Sequence, residues 1–444
     1  MERQTEYVMR KVEDRGVRLV RLLFTDVHGQ LKSLNIGPAE LEAAFEEGML
    51  FDGSSIDGFS RIAEEDVLAR PDPHSFQLLS WTDNDERVAR MFCDIDRANG
   101  EPFEGDTRQV LRRQLDRARE AGFTFFVAPE LEYFLFEKGD PSQPLVPLDQ
   151  GSYFDLTTAD VASSIRRRTL QALESMGISV EYSFHEDAPS QHEIDLRYTD
   201  ALTMADNVMT FRLIVKEIAI EHGVHATFMP KPMAAHQGSG MHTHLSLFRG
   251  DENAFHDPDD PIGLTPVAKQ FMAGLLRHAP DITAVTNQLV NSYKRLVPGF
   301  EAPVSVSWAR SNRAALVRVP SIKKGKAESA RVEYRSPDPA CNPYLTFALI
   351  LAAGLDGIEN QMELGPEAPA DLFKMDPKQM AAAGYTPLPD SLGAALDKLE
   401  ASELARDVLG VHLFEWFVRN KRAEFATYKS QVTQFELDRY LRNV

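Results

Sequence analysis

Two glutamates set two residues apart, Glu130 and Glu132, interrupt the run Phe125-Phe126-Val127-Ala128-Pro129-Glu130-Leu131-Glu132-Tyr133-Phe134-Leu135-Phe136. The rest of the run is apolar or aromatic, the composition of a strand covered on both faces. Side chains at i and i+2 leave a strand on one face, so both carboxylates point the same way. Like charges buried side by side are costly unless cations neutralise them. A pair at the rim of a sheet, reaching solvent, satisfies the same stretch. Other carboxylates and histidines in similar settings decide between the two.

The chain supplies them. Glu186 and Glu193 flank a proline turn in His185-Glu-Asp-Ala-Pro-Ser-Gln-His-Glu193. Taken singly, each reads as a surface acid. Gly238-Ser-Gly-Met-His242-Thr-His244-Leu-Ser246 is a glycine turn entering a strand, with His242, His244 and Ser246 on one face. Glu333 and Arg335 repeat the i, i+2 spacing. A set of Glu130, Glu132, Glu186, Glu193, Glu333 and a single imidazole, His242, suits Mg²⁺ or Mn²⁺ far better than zinc or copper. Two such ions close together are the usual clamp for phosphoryl transfer from ATP. Arg295, Arg313, Arg318, Arg331 and Arg335 add side chains that grip carboxylate and phosphate in a two-pronged way. Walker-type and kinase glycine loops are missing from the sequence, so a nucleotide site must be of another kind. These residues point to a metal-dependent, ATP-using enzyme that acts on a carboxylate.

The elements that must position them follow from punctuation and periodicity. Helices are expected over 4–15 and from Pro38 to Gly48, with a hairpin of Val17 to Phe24 and Leu31 to Ile36 between them. Phe51-Asp-Gly-Ser-Ser-Ile-Asp-Gly-Phe59 reads as a loop. Gly/Pro-rich 99–105 is the best boundary, which predicts domains over 1–103 and 104–444. Beyond it, strands and helices alternate, an α+β catalytic unit with a broad, mainly antiparallel sheet and flanking helices. The last third predicts helices over 265–279, 343–360, 390–408 and 410–428. Net charge bounds the partners: 48 basic against 67 acidic residues leaves −19, which argues against nucleic acid or an anionic membrane. Two cysteines cannot build a disulfide framework or zinc ribbon. With no signal peptide or membrane span read from the sequence, a cytoplasmic protein is expected.

Ordered motifs from about residue 15 onward resemble the bacterial type I glutamine synthetases: Phe51-Asp-Gly-Ser-Ser-Ile56, Pro129-Glu-Leu-Glu132, His185-Glu186 through His192-Glu193, Lys231-Pro232, Gly238-Ser-Gly-Met-His242, Asn291-Ser-Tyr-Lys-Arg-Leu-Val-Pro-Gly299 and Arg335-Ser-Pro-Asp-Pro-Ala-Cys-Asn-Pro343. The resemblance implies an N-terminal β-grasp domain and a dodecamer of two hexameric rings, with active sites between neighbouring subunits. It implies Glu132, Glu186 and Glu193 on one metal and Glu130, His242 and Glu333 on the other. ATP would meet Glu181, His244, Ser246, Arg313, Arg318 and Arg331. Glutamate would meet Gln237, Gly238, Arg295, Glu301 and Arg335. Asp52, Ser55, Tyr153 and Glu186 would form the ammonium site, with Asp52 supplied by the adjacent subunit and Glu301 closing over the intermediate.

Some positions depart from the family. Gln237 replaces the usual Asn, and Asp371-Leu-Phe373-Lys lacks the tyrosine that long-subunit members adenylylate. That places the chain with the shorter, non-adenylylated subclass, in which an Arg matching Arg61 mediates glutamine feedback; a salt-bridged surface arginine is the plainer reading of Arg61. A paralogous ligase joining γ-glutamyl groups to polyamines or ethanolamine would share the metals and ATP, and remains open. The resemblance also leaves room for a transcription-regulator partner. The amphipathic 435–441 segment fits either a ring-to-ring tail or a terminal helix packed on its own subunit.

Overall fold

The computed structural model describes residues 2–54, 56–58, 66–79, 87–139, 145–156, 161–369, 372, 375 and 377–444. The expectations for Ser55, Arg61, Asp371 and Phe373 lie outside the described residues.

Alternating burial along the first strands sets up an N-terminal sheet. Its strands are β1 (Leu19–Thr25), β2 (Leu31–Ile36), β3 (Met49–Asp52), β4 (Asp66–Pro71), β5 (Gln77–Leu78) and β6 (Val88–Arg97), in the order β2-β1-β6-β4-β3 with β5 on β6. The expected hairpin forms, pairing Val20 with Ile36, while β1 and β6 run parallel at the centre. Val20, Leu22, Met91 and Ile95 pack against Val8 and Val12 of the Glu2–Asp14 helix and Leu41 of the next. One expectation shifts: Phe51 and Asp52, read as loop, end β3, because they pair with Val67 and Asp66.

The second sheet holds β7 (Thr124–Glu137), β8 (Val180–His185), β9 (Gln191–Leu196), β10 (Thr199–Asp200), β11 (Val224–Thr227), β12 (Met241–Arg249), β13 (Glu252–Asn253), β14 (Trp308–Ala309), β15 (Val317–Arg318) and β16 (Val332–Tyr334). The order is β14-β15-β16-β12-β7-β9-β8, antiparallel everywhere except between β14 and β15. The α+β reading and the mainly antiparallel sheet are thus borne out. Register brings the chemistry together: His242 lies opposite Glu130, Glu193 opposite Glu132, and Glu333 opposite His244.

Helices Ala201–Glu221, Pro266–Thr286 and Pro343–Glu359 back this sheet with apolar faces. Two of them meet backbone to backbone: a Cβ on Gly274 would fall 2.2 Å from the Ala353 carbonyl, and one on Gly357 2.1 Å from that of Gln270. The Pro266 helix passes Pro280 and runs to Thr286, beyond the expected 279. Burial of Ile282 through Thr286 outweighs the roughly 3 kcal/mol that an interior proline costs. The 390–408 helix breaks instead at 401–402, where the Ser402 side chain accepts from Ala405 N and starts Glu403–Lys429. Gly410 (φ 74°) kinks that last helix internally.

The two sheets are joined by buried polar bonds. Arg108 reaches Asp72 (2.8 Å), Asp94 (2.6 Å) and Asp206 (2.9 Å), and Gln288 donates to the His28 carbonyl (2.8 Å).

Candidate active site

β7, β12, β9 and β16 lie side by side and present their polar positions on one face. Glu130, His242 and Glu333 each offer a ligand atom, and these atoms all lie within 4.8 Å of one another. Glu130, Glu193 and Asp195 form a second such group. His242 Nδ1 is 3.1 Å from Glu130 Oε2, and His244 Nε2 is 2.7 Å from Oε1. Arg331 Nε donates to His244 Nδ1 (3.1 Å), so Nε2 carries the proton that His244 gives to Glu130. Glu333 takes bonds from Arg318 Nε and from Arg335 Nη1 (2.6 Å). The donor set is rich in carboxylates with one imidazole, which fits Mg²⁺ or Mn²⁺.

Glu132 sits among neutral donors. Gln191 Nε2 (2.8 Å) and Gly240 N (3.0 Å) both donate to its Oε2. A side chain at 240 would have to displace Arg295, because a Cβ there would fall 2.5 Å from Arg295 Nη2 and 3.1 Å from Glu132 Oε1. Burial pushes the Glu132 carboxyl up to about 8, and Glu186 adds to the rise. Burial followed by Glu132 drives Glu193 well above the usual carboxylate range, and burial followed by Glu130 brings Asp195 to about 7. Burial also raises Glu186. Glu130 goes the other way: burial alone would raise it, but His244 and His242 hold it well below. Burial and then Arg335 lower His242 to about 4, so its imidazole is neutral and able to ligate.

A cavity of about 450 Å³ opens onto this cluster, bordered by Glu186, Glu193, Glu301, Arg313, Arg335 and Tyr153. Glu301 has a left-handed backbone (φ 55°) and meets Arg313 at 3.3 Å, while Arg313 lies 6.0 Å over the Tyr153 ring. Arg295 is buried and donates to the carbonyls of Ser336 (2.8 Å) and Arg335 (3.1 Å), beside Gly238. Gln237 bonds the exposed Asp187. A second cavity of about 330 Å³ adjoins the first through Glu130 and Asp195 and gathers Glu181, His244, Ser246 and Arg331. Arg318, expected at phosphates, borders the first cavity and pairs with Glu333. Asp52 is exposed on β3 of the other sheet and borders neither cavity within one chain.

Residues that sequence reasoning passed over complete the site. Asp195 stands two residues after Glu193, and the same i, i+2 rule would have found it. Asp149 accepts from Ser190 N (2.9 Å), Gly151 N (3.0 Å) and His185 Nε2 (2.9 Å). His185 Nδ1 faces the Glu186 carbonyl (2.6 Å), so both of its nitrogens donate and the ring is cationic against Asp149. This network ties the Tyr153 loop to the turn bearing Glu186, with Phe154 N donating to His185 O (2.9 Å). Asp149, His185 and His192 have metal-like proximity. Arg166 lies 2.9 Å from His192 Nδ1 and occupies the lone pair that a metal-bound imidazole would turn into a donor.

A family model described as "Glutamine synthetase, catalytic domain" matches residues 104–440, and "Glutamine synthetase, beta-Grasp domain" matches 16–97. The chain belongs to the glutamine synthetase family. Relatives named glutamine synthetase include one of Mycolicibacterium smegmatis, 58% identical, and one of Mycobacterium tuberculosis H37Rv, 57% identical, each covering 99% of this chain and matched over its full length. Another, from Thermotoga maritima, is 48% identical across 98% of this chain and 99% of its own. Among solved structures, a GmaS/ADP complex superposes with TM-score 0.84 at 32% identity, covering 98% of this chain and 99% of that one. These glutamine synthetase relatives match this chain along nearly its whole length. Among the described residues, no helix is long and apolar enough to cross a membrane.

Proposed function

We propose that this member of the glutamine synthetase family ligates ammonia to the γ-carboxylate of L-glutamate at the expense of ATP. One observation carries the reading: in a member of this family, the Glu130–His242–Glu333 cluster opens on one side to a cavity lined by Arg313 and Arg335 and on the other to the cavity of His244, Ser246 and Arg331. Residues 104–444 form the catalytic unit, and residues 1–103 form the β-grasp unit that carries Asp52.

Glu130, His242 and Glu333 would hold one divalent ion, and Glu132, Glu186 and Glu193 another, with Mg²⁺ and Mn²⁺ both suited to these donors. When bound, the ions offset the negative charge of the phosphates. ATP lies along Glu181, His244, Ser246 and Arg331, with Arg313 and Arg318 at its phosphates. Arg295, Arg335, Gln237 and the Gly238 backbone hold glutamate. Its γ-carboxylate oxygen attacks the γ-phosphorus of ATP, the bond to the bridging oxygen breaks, and ADP leaves. Arg313 stabilises the charge of that transfer. Ammonium meets Asp52 and Ser55 of an adjacent subunit, with Tyr153 and Glu186. Asp52 takes its proton, and the ammonia formed attacks the acyl carbon and expels phosphate. Glu301 shields the acyl phosphate from water.

The exposure of Asp52, far along the chain from the cluster, supports sites shared between copies in a dodecamer of two hexameric rings. Such an enzyme works in the cytoplasm. Arg61 would carry glutamine feedback, and a transcription regulator fits as a partner of the assembled rings. The curated relatives favour ammonia over the polyamine or ethanolamine alternative. The test is phosphate release together with amide formation from ATP, glutamate and Mg²⁺, comparing ammonium with putrescine, spermine and ethanolamine. Turnover with ammonium alone is expected, and turnover only with an amine would overturn the assignment.

A further inference from the structure

The segment that carries Glu301 is lightly attached to the body of the protein. Gly299 and Glu301 both adopt left-handed backbone (φ 91° and 55°), and the Glu301 side chain is about half exposed. A Cβ added to Gly299 would touch nothing. Between them, Phe300 makes a specific contact: the Lys231 ammonium lies 3.5 Å from the centre of its ring. The same ammonium donates to the His236 carbonyl, at the start of the loop that carries Gln237 and Gly238. Lys231 itself is buried, and Asn291 clamps its backbone on both sides: Asn291 Oδ1 accepts from Lys231 N (2.7 Å), and Asn291 Nδ2 donates to Lys231 O (3.0 Å). Pro230 O accepts from Ser239 N (2.8 Å), which holds the far end of that loop against the same segment. One side chain on a fixed backbone therefore touches the amino-acid loop and the Glu301 segment at once.

We propose that Lys231 is a positioning residue that couples glutamate binding on the 236–240 loop to closure of the Glu301 segment. The inference rests on the function proposed above. Glutamate that orders the loop fixes the His236 carbonyl and, through it, the ammonium that anchors Phe300. Without the anchor, the segment stands open for more of the lifetime of the acyl phosphate. Water then adds to the intermediate, the bond between acyl carbon and phosphate oxygen breaks, and glutamate and phosphate return with no amide formed.

The test measures phosphate and glutamine in the same reaction for the wild type, Lys231→Met and Lys231→Arg. Lys231→Met keeps the length of the side chain and removes the charge. A cation–π anchor of this kind corresponds to roughly a five- to tenfold change in closure. The ratio of phosphate to glutamine, near one in the wild type, should rise by about that factor at limiting ammonium, and Lys231→Arg should restore most of the coupling. A purely structural lysine would lower both products together, with the ratio unchanged and no rescue by arginine, which would overturn the proposal. If Lys231→Met does not fold, Phe300→Leu removes the ring and leaves the bond to His236. An unchanged ratio in that variant would also overturn it. Failure of the wild type to make glutamine would sink the proposed function itself, a distinguishable result.

Discussion

Glu130 and Glu132 leave the same strand two residues apart, yet their surroundings oppose each other. Around Glu130 and Glu333 the protein supplies its own compensation: His242 and His244 on one carboxylate, Arg318 and Arg335 on the other. Burial pushes both groups up, but Arg335 and the histidines bring Glu333 net below its ordinary range, as they do Glu130. Around Glu132, Glu186, Glu193 and Asp195 such partners are scarce. Gln191 and a backbone amide are neutral, and the buried Arg295 is engaged with carbonyls of its own. These carboxyls are all pushed up. The difference teaches what each half is for. The compensated half is preformed and holds its shape alone, while the uncompensated half favours whatever positive charge enters it.

The largest effect should come from breaking the compensated half. Arg335→Met takes from Glu333, which is wholly buried, the more deeply buried of its two arginine partners, and should cost about 3–5 kcal/mol in denaturant unfolding. Saturating Mg²⁺ or Mn²⁺ should sharpen the contrast from the other side. At a hundredfold excess over Kd the wild type should gain about 2.7 kcal/mol, and chelation should abolish the gain. Glu193→Gln removes a carboxyl that burial and its acidic neighbours make costly to ionise. The metal-free variant should therefore equal or exceed the wild type in stability, by about 1 kcal/mol, while losing most of its response to the ion.

The remaining effect is a slope with pH. Folding raises Glu132 from 4.5 to about 8 and Asp195 from 3.8 to about 7. Between those limits the native state holds protons that the unfolded chain has released. The metal-free protein should therefore lose stability as pH rises from about 4.5 to 8, by no more than about 1.4 kcal/mol per pH unit for each group. Unfolding midpoints across this range check it, and added Mg²⁺ should flatten the slope.

Much of the compensated half was legible in the sequence, because strand periodicity alone aligns Glu130, His242 and Glu333 once the strands pair. Asp195 obeys the same rule, two residues beyond Glu193 on the same strand face. Asp149 carried no such signal. It lies 36 residues before His185, and only the folded loop brings them together. Gln191 is neutral, and nothing in its type announces a bond to Glu132. In the fold, a helix end with its own punctuation was readable, as from Pro38 to Gly48, where Pro38 opens the turn that leads into Leu41–Glu46. The break at 401–402 was not, because a leucine-rich pattern continues across it and Ser402 decides it locally. The place of Asp52 shows a different limit: one chain leaves it exposed on β3, and only the association of copies would bring it to a cluster.

The most direct test is a calorimetric titration of the metal-free protein with Mn²⁺ at pH 7 in buffers of different ionisation enthalpy, which counts the protons released on binding. Ions that enter the uncompensated half must displace protons from Glu132, Glu193 and Asp195, so at least about one proton per protein is expected, with less from Glu193→Gln. Tight binding with no proton release, unchanged in Glu193→Gln, would contradict the division of the site into a compensated and an uncompensated half.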